Sequence, residues 1–282
     1  MSLRNSAIAR LSGARRKVLR KNAWKNAARF SYSGPQVESL EPRVLLSASG
    51  LASESLGGAA PLFAENAGQW DNADIHFGYN AGGSQLFFTD DSIDFTLAQW
   101  QPDSSGENYD VLSTEFALQF DGATAVAPMG VDEADTYFNY HVGDQSQWVD
   151  GVDTFGAVVY EDLYAGIDLH AFSRQGEIKY EFHIAPGGDA SQIELTYAGV
   201  EGLSLGADGE LRIATELGEI VDEGLYIYQE IEGQRVQVAG EFELIDADSY
   251  TFRITGDYDA AYGLVIDPTV VWGSYLGKGL ED

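Results

Sequence analysis

Residues 177–184 read Glu-Ile-Lys-Tyr-Glu-Phe-His-Ile, and this stretch decides the fold. Polar and apolar residues alternate at every position, so the apolar side chains, Tyr180 among them, share one face of an extended chain. Such a period of two indicates a β-strand that is buried on one side. Residues 167–172 have the same character, and the Ser-Arg-Gln-Gly break at 173–176 predicts that the two strands form a hairpin.

The same kind of pattern recurs through the chain after residue 60. Short apolar or alternating runs lie at residues 85–89, 92–97, 114–120, 157–160, 193–197, 203–205, 210–213, 225–229, 236–238, 241–244 and 250–254. Turn residues separate them about every 8–12 positions, a spacing typical of sandwiches and barrels. We find no convincing amphipathic helix after residue 50. We therefore predict an all-β fold, an antiparallel β-sandwich-like domain, over residues 61–268.

The composition agrees with such a fold and excludes some chemistry. The chain has 282 residues, of which 44% are hydrophobic and 12% aromatic, so it can bury a sizeable core. Its 32 glycines suit the many turns that an all-β chain requires. There is no cysteine, which excludes a disulfide framework, thiolate zinc sites and cysteine nucleophiles.

The net charge of −29 is distributed unevenly. Residues 1–48 contain ten Lys or Arg and two acids, whereas the rest contains six Lys or Arg against 43 acids, a formal charge of −37. A body of this charge repels nucleic acid, so we predict no nucleic-acid partner. We interpret the acids as a solubilising surface and predict no cofactor. Calcium is the alternative, because the acidic turns 246–248 and 257–259 could supply oxygen ligands, although no stretch fits a calcium-binding loop.

Residues 1–48 have the composition of a targeting segment. No acid precedes Glu38, and basic residues are spread among Ala, Ser and Asn, so the segment suits a weak basic amphipathic helix or a disordered tail. It lacks the continuous apolar stretch of a secretory signal, and no stretch in the chain is long enough to span a bilayer. Residues 49–60 are rich in small residues and read as a linker.

Residues 40–48 read Leu-Glu-Pro-Arg-Val-Leu-Leu-Ser-Ala. They resemble the LEPR-x-LL motif found near the N-terminus of large bacterial surface proteins. The motif positions are Leu40, Glu41, Pro42, Arg43, Leu45 and Leu46. The resemblance implies export, with the export machinery as a partner of residues 1–48 and a location at the cell surface or outside the cell.

A second resemblance covers residues 61–282. The opening Phe-Ala-Glu-Asn-Ala-Gly-Gln at 63–69 is similar to the N-terminal domain of unknown function that precedes SBBP β-propeller repeats in bacterial proteins. The stretches that carry this likeness lie at residues 137–140, 143, 148, 160–169, 176–182, 185–189, 193, 228–229 and 264–268. We expect a structural role for the motif residues, which are Asn66, Gly68, Gln69, Tyr160, Gly166, Asp168, Tyr180, Pro186, Asp267 and Pro268. Ala165 is a departure, since the family usually has proline there.

Residues 269–282 include Trp-Gly-Ser-Tyr-Leu-Gly at 272–277, which looks like the opening of the first propeller repeat. A single repeat start cannot bury its own apolar face. We therefore expect either that this sequence is a truncated product or that the propeller was lost.

The apparent catalytic motifs of the sequence lack the context that their chemistry requires. Residues 202–206 fit G-x-S-x-G, but a nucleophile elbow needs a following helix, and a second strand is predicted instead. The histidines His76, His141, His170 and His183 occur singly. His170 and His183 lie on adjacent predicted strands and could approach one another, but no third metal ligand is evident.

The sequence predicts a non-catalytic structural or adhesive module of an exported cell-surface protein, with an unknown surface ligand or protein as its partner. Two alternatives remain open. A carbohydrate-binding accessory module of a secreted enzyme would expose Trp70, Trp100 and Trp148 as coplanar rings in one groove. A hydrolase would place two carboxylates with perturbed pKa values in a cleft, and the abundant acids do not single out a pair.

Overall fold

The computed structural model describes residues 62–81, 84–102, 109–174 and 177–270. Two predicted segments lie outside these residues, namely the targeting segment at 1–48, with the sorting motif at Leu40 to Leu46, and the linker at 49–60. Residues 271–282, which make up most of the repeat-like end, also lie outside them. Strands make up 64% of the structure, which confirms the all-β prediction. They are β1 (Phe63–Glu65), β2 (Phe77–Ala81), β3 (Ser84–Phe88), β4 (Ser92–Pro102), β5 (Tyr109–Asp121), β6 (Met129–Tyr140), β7 (Val149–Tyr164), β8 (Ile167–Arg174), β9 (Glu177–Ile184), β10 (Glu194–Ala198), β11 (Gly202–Leu205), β12 (Leu211–Thr215), β13 (Gly218–Ile231), β14 (Gln234–Val238), β15 (Gly240–Leu244), β16 (Ser249–Ile254) and β17 (Leu264–Val270).

The described strands pair antiparallel in one continuous sheet that folds over a shared core. The order of pairing is β15, β16, β10, β5, β4, β3, β2, β1, β7, β8, β9, β17, β13, β12 and β11. Strand β6 adds to the other side of β7, and β14 pairs with the second half of β13. Short 3-10 helical turns lie at Gln145–Gln147 and Ala190–Gln192.

The hairpin predicted from residues 167–184 is confirmed. Strands β8 and β9 pair antiparallel from Ile167 opposite Ile184 to Arg174 opposite Glu177. The alternating apolar residues of β9 are buried, and the alternating polar residues lie on the opposite face. The period of two therefore fixed both the element and its buried side.

Aromatic side chains join the two halves of the sandwich across its interior. Phe120 of β5 packs edge-on against Tyr160 of β7, with ring centroids 5.3 Å apart. The Tyr180 hydroxyl of β9 lies 3.1 Å from the Tyr250 hydroxyl of β16. Burial raises the pKa of both Tyr180 and Tyr250 well above the usual value, so the pair stays protonated and can share a hydrogen bond inside the core. Most of the buried hydrophobic residues belong to one cluster.

Strand β6 was not predicted from the sequence. Asp132 adopts a left-handed backbone conformation with φ of 57°, and the pairing of β6 with β7 shifts register after Glu133. The shift interrupts the alternation of apolar and polar positions, so no period of two was visible. Within the ranges described, no helix has the length and apolar character that crossing a membrane would require.

Candidate functional site

The opening motif builds the loop between β1 and β2. The Asn66 side-chain amide donates to the Ile75 carbonyl at 2.8 Å, and its oxygen accepts from the Gly68 N–H at 3.1 Å. The Gln69 side chain donates to the Glu65 carbonyl at 2.6 Å and accepts from the backbone N–H of residue 67 at 2.8 Å. The polar groups of Asn66 and Gln69 thus bind the backbone of their own loop and fix its shape.

This loop borders a shallow cavity of about 370 Å³. Its lining residues are Glu65, Asn66, Gly68, Trp70, Asp71, Ala73, Ile75, His76, Phe77 and Pro128. Trp70 is half-buried because its ring lies directly on Gly78, where an added Cβ would be 2.4 Å from the indole. The Trp70 ring also contacts Phe87 and Tyr140 edge-on, with centroids 5.2 and 5.8 Å away. Trp70 is therefore mainly a packing wall of the cavity.

The second cluster of motif residues lies where β7 turns into β8. The Asp168 carboxylate accepts from the Asp162 N–H at 2.7 Å, and Asp162 has a left-handed φ of 51°. Asp168 therefore holds the irregular stretch in which the pairing of β7 with β8 shifts register. Gly166 has φ of +73° in the turn, and its carbonyl accepts from the backbone N–H of residue 185 at 2.9 Å. Pro186 follows in the exposed turn after β9.

The remaining motif residues lie in strands. Tyr160 is fully buried, and its hydroxyl donates to the Ser92 carbonyl at 3.2 Å. Pro268 is buried in β17 opposite Leu225. Asp267 pairs with Lys179 at 3.6 Å, and only 15% and 16% of these two side chains are exposed. Burial raises the pKa of Asp267, and the Lys179 charge partly opposes that rise.

His170 and His183 come together, as their adjacent strands allowed. The two rings stack with centroids 4.1 Å apart and an angle of 28°. Glu181 Oε2 lies 3.0 Å from His183 Nε2, and this hydrogen bond lowers the pKa of Glu181. Burial lowers the pKa of His170, and the neighbouring His183 lowers it further. Among the residues that the structure describes, no three His, Asp or Glu side chains are arranged to hold a metal ion.

The carboxylates with raised pKa values do not meet in the cavity. They are Asp94 and Asp267, where burial is the main cause, and Asp248, where the hydrogen-bonded Asp246 is the main cause. None of the three is among the residues lining the cavity. The G-x-S-x-G stretch forms the β11–β12 hairpin, with Leu205 opposite Leu211, as the sequence predicted.

The tryptophans differ in their surroundings. Trp148 is 41% exposed and stacks on His141, with centroids 4.3 Å apart and an angle of 20°. The His141 Nε2 lies 2.6 Å from the Asp150 carboxylate, and the Trp148 N–H donates to the Gly143 carbonyl at 3.4 Å. The side chain of Trp100 lies outside the described residues. Sequence reasoning named Trp148 but not its support by His141, which depends on how the β6–β7 hairpin turns.

Comparison with known proteins gives a family without a function. A family model described as "Domain of unknown function (DUF7948)" matches residues 63–269. Neither a curated protein nor a solved structure shows significant similarity to the chain. The matched range begins at the first residue of β1 and ends within β17, so it coincides with the folded body.

Proposed function

The chain belongs to the family described as a domain of unknown function (DUF7948), and from that premise we propose that its folded body is a non-catalytic structural or adhesive module of an exported cell-surface protein. The observation that carries the proposal is the use made of the motif side chains. Asn66, Gln69 and Asp168 direct their polar groups to backbone atoms of loops and turns. Groups engaged in this way support a shape that presents other surfaces.

The export part of the proposal rests on residues 1–48. Their basic character, the LEPR-x-LL resemblance and the small-residue linker at 49–60 together fit a segment that delivers the acidic body to the outside. The repeat-like residues 272–277 support a place in front of a β-propeller. In that arrangement the β domain stands between the exported N-terminus and a larger repeat structure.

Surface location can be tested with antibodies against the folded body in cells that express the full chain. We expect labelling of intact cells, and we expect the pair Leu45→Asn and Leu46→Asn to reduce it. Ser47→Ala, next to the motif, serves as the control and should leave labelling unchanged. Labelling that requires permeabilised cells would refute the surface location.

The structural role of the motif can be tested at Asn66. Replacing it by alanine removes the part-buried bond to the Ile75 carbonyl and the exposed bond from the Gly68 N–H, so Asn66→Ala should lower the free energy of unfolding by about 0.5–1.5 kcal/mol. Asn80→Ala, at an exposed position of β2, is the matched control. If Asn66→Ala kept full stability in urea titrations, the motif would need a role in ligand binding instead.

A carbohydrate-binding role is the second candidate, and Trp148 favours it. Its ring is exposed although the large aromatic side chains of the core are buried. Trp70 gives less support, since its ring is covered by Gly78, Phe87 and Tyr140.

A further inference from the structure

The β6–β7 hairpin carries an unusual share of the exposed apolar surface. Nine large hydrophobic side chains of the described residues are exposed, and four of them, Met129, Tyr137, Val142 and Trp148, lie in this hairpin. Exposed apolar residues that cluster on one element indicate an interaction surface more strongly than scattered ones do. Two of these four, Val142 and Trp148, lie where the hairpin turns, at residues 139–151, which we call the hairpin tip.

The hairpin tip is held in one conformation by its own hydrogen bonds. The Asn139 side-chain oxygen accepts from the Gly151 N–H at 2.8 Å across the base of the tip. The Gln147 N–H donates to the Asp144 carbonyl at 2.8 Å, which closes the 3-10 turn before Trp148. A surface fixed before binding loses little conformational entropy when a ligand arrives.

Trp148 is presented as a flat, supported ring at this tip. The His141 imidazole covers one face of the indole, and the Asp150 carboxylate fixes the imidazole from the side. The indole N–H is directed to the Gly143 carbonyl. Because His141 covers one face of the indole, the surface that leaves Trp148 41% exposed lies elsewhere on the residue, which includes the opposite face.

The charge around the ring limits the chemistry of the ligand. Residues 129–153 contain six Asp or Glu and no Lys or Arg, so the hairpin repels anionic ligands. Asp144, the second carboxylate oxygen of Asp150 and the amide of Gln145 offer hydrogen-bond acceptors next to the indole in the chain. A sugar matches both features, since its C–H face packs on an aromatic ring while its hydroxyls donate to carboxylates and amides.

The size of the platform favours a sugar over a folded protein. A stable protein interface buries about 800 Å² on each partner, whereas a whole tryptophan side chain buries only about 150–250 Å², and the partly covered Trp148 offers less than that. We propose that the hairpin tip binds neutral carbohydrate, with the free face of Trp148 as its stacking platform and His141 as a positioning residue. This inference rests on the proposed adhesive function and names the ligand class and the site.

Binding can be tested with the purified full chain on immobilised neutral hexasaccharides, namely cellohexaose, mannohexaose and chitohexaose, with oligogalacturonate as the anionic comparison. We expect binding to at least one neutral sugar and none to oligogalacturonate. Trp148→Ala should weaken the affinity about tenfold or more, which corresponds to about 1.4 kcal/mol, and Trp148→Phe should weaken it less. Tyr258→Ala is the control, because Tyr258 is 44% exposed but lies in a different loop.

His141→Ala separates positioning from folding. It should weaken sugar binding, so that the change in tryptophan fluorescence extends over a wider range of sugar concentration. It should leave the urea midpoint unchanged, because His141 is exposed. The proposal is overturned if no neutral sugar binds, or if Trp148→Ala binds sugar as well as the parent does. It is also overturned if the hairpin tip binds a protein and no sugar. Sugar binding through Trp148 without surface labelling would instead reject the surface location and keep the site.

Discussion

Ala165 occupies the first central position of the turn that joins β7 to β8, with Tyr164 and Ile167 paired on either side. Gly166 at the second position has φ of +73°, whereas Ala165 is not among the residues with positive φ. A φ that is not positive at the first central residue and positive at the second is typical of a type II turn, which favours proline at its first central position. Tyr164 ends a strand, and an extended residue is what a following proline requires.

We therefore expect Ala165→Pro to raise the free energy of unfolding by about 0.4–1 kcal/mol, because proline restricts the unfolded chain. The urea midpoint of the full chain measures this. Ala261→Pro is the matched control, since the Ala261 N–H donates to the Asp259 carboxylate at 2.9 Å and proline would remove that bond. It should lower the midpoint. A lower midpoint for Ala165→Pro as well would show that this turn does not accept proline.

The stacked histidines make stability depend on pH. His170 has a folded-state pKa below its ordinary value of 6.5, chiefly through burial and then through His183, while the acids Asp168 and Glu181 oppose the shift. The folded state therefore binds fewer protons than the unfolded state as the pH falls below about 6.5. The stability that the neutral His170 ring contributes is present at neutral pH and is lost as the pH falls through the folded-state pKa of His170.

In urea titrations of the full chain at pH 7.5 and 5.5, the shifted pKa of His170 should lower stability at the acidic pH. His170→Gln removes one titrating ring and should reduce the difference between the two values. His76→Gln is the comparison, because His76 pairs with Asp90 away from another imidazole. If the parent and His170→Gln changed equally in stability between the two pH values, the stacked pair would be excluded as the source of acid sensitivity.

At the scale of elements, Gln229 ties β13 to the long connection between β16 and β17. Its side chain is 1% exposed, donates to the carbonyls of Asp259 and Tyr262 at 2.8 and 3.2 Å, and accepts from the Asp259 N–H at 2.8 Å. Gln229→Met keeps the length and loses these bonds, so it should cost about 1–3 kcal/mol of unfolding free energy. Gln237→Met, exposed on β14, should change little. Equal urea midpoints for both variants would contradict this role.

Elements with a clean alternation were predictable, and elements shaped by neighbours were not. The predicted bounds of β9, residues 177–184, match the observed strand because one of its faces is buried throughout. Strand β6 was missed because it is largely exposed and its bulge at Asp132 disturbs the period. The same limit applies to the site. The sequence pointed to Trp148, but its stacking on His141 depends on the turn of the β6–β7 hairpin, and β6 was not predicted.

At the scale of the whole molecule, acidic residues far outnumber basic ones around the core that the described residues form. From residue 49 onward the chain carries six Lys or Arg and 43 acids. Because there are too few Lys and Arg side chains to pair with most of these acids, repulsion among the acids opposes the compact state. The same charge protects the exposed edge of β6, where Glu133 and Asp135 discourage pairing with another chain.

Salt should therefore stabilise the protein. Raising NaCl from about 10 mM to about 100 mM shortens the Debye length from about 30 Å to about 10 Å and screens the repulsion. If this adds about 1 kcal/mol, the melting temperature rises by about 2–4 °C. After treatment with a chelator, CaCl₂ and MgCl₂ at equal ionic strength should raise the melting temperature equally, because general screening does not distinguish the ions. A larger rise with calcium would show instead that the acidic turns, such as Asp246 with Asp248, hold that ion selectively.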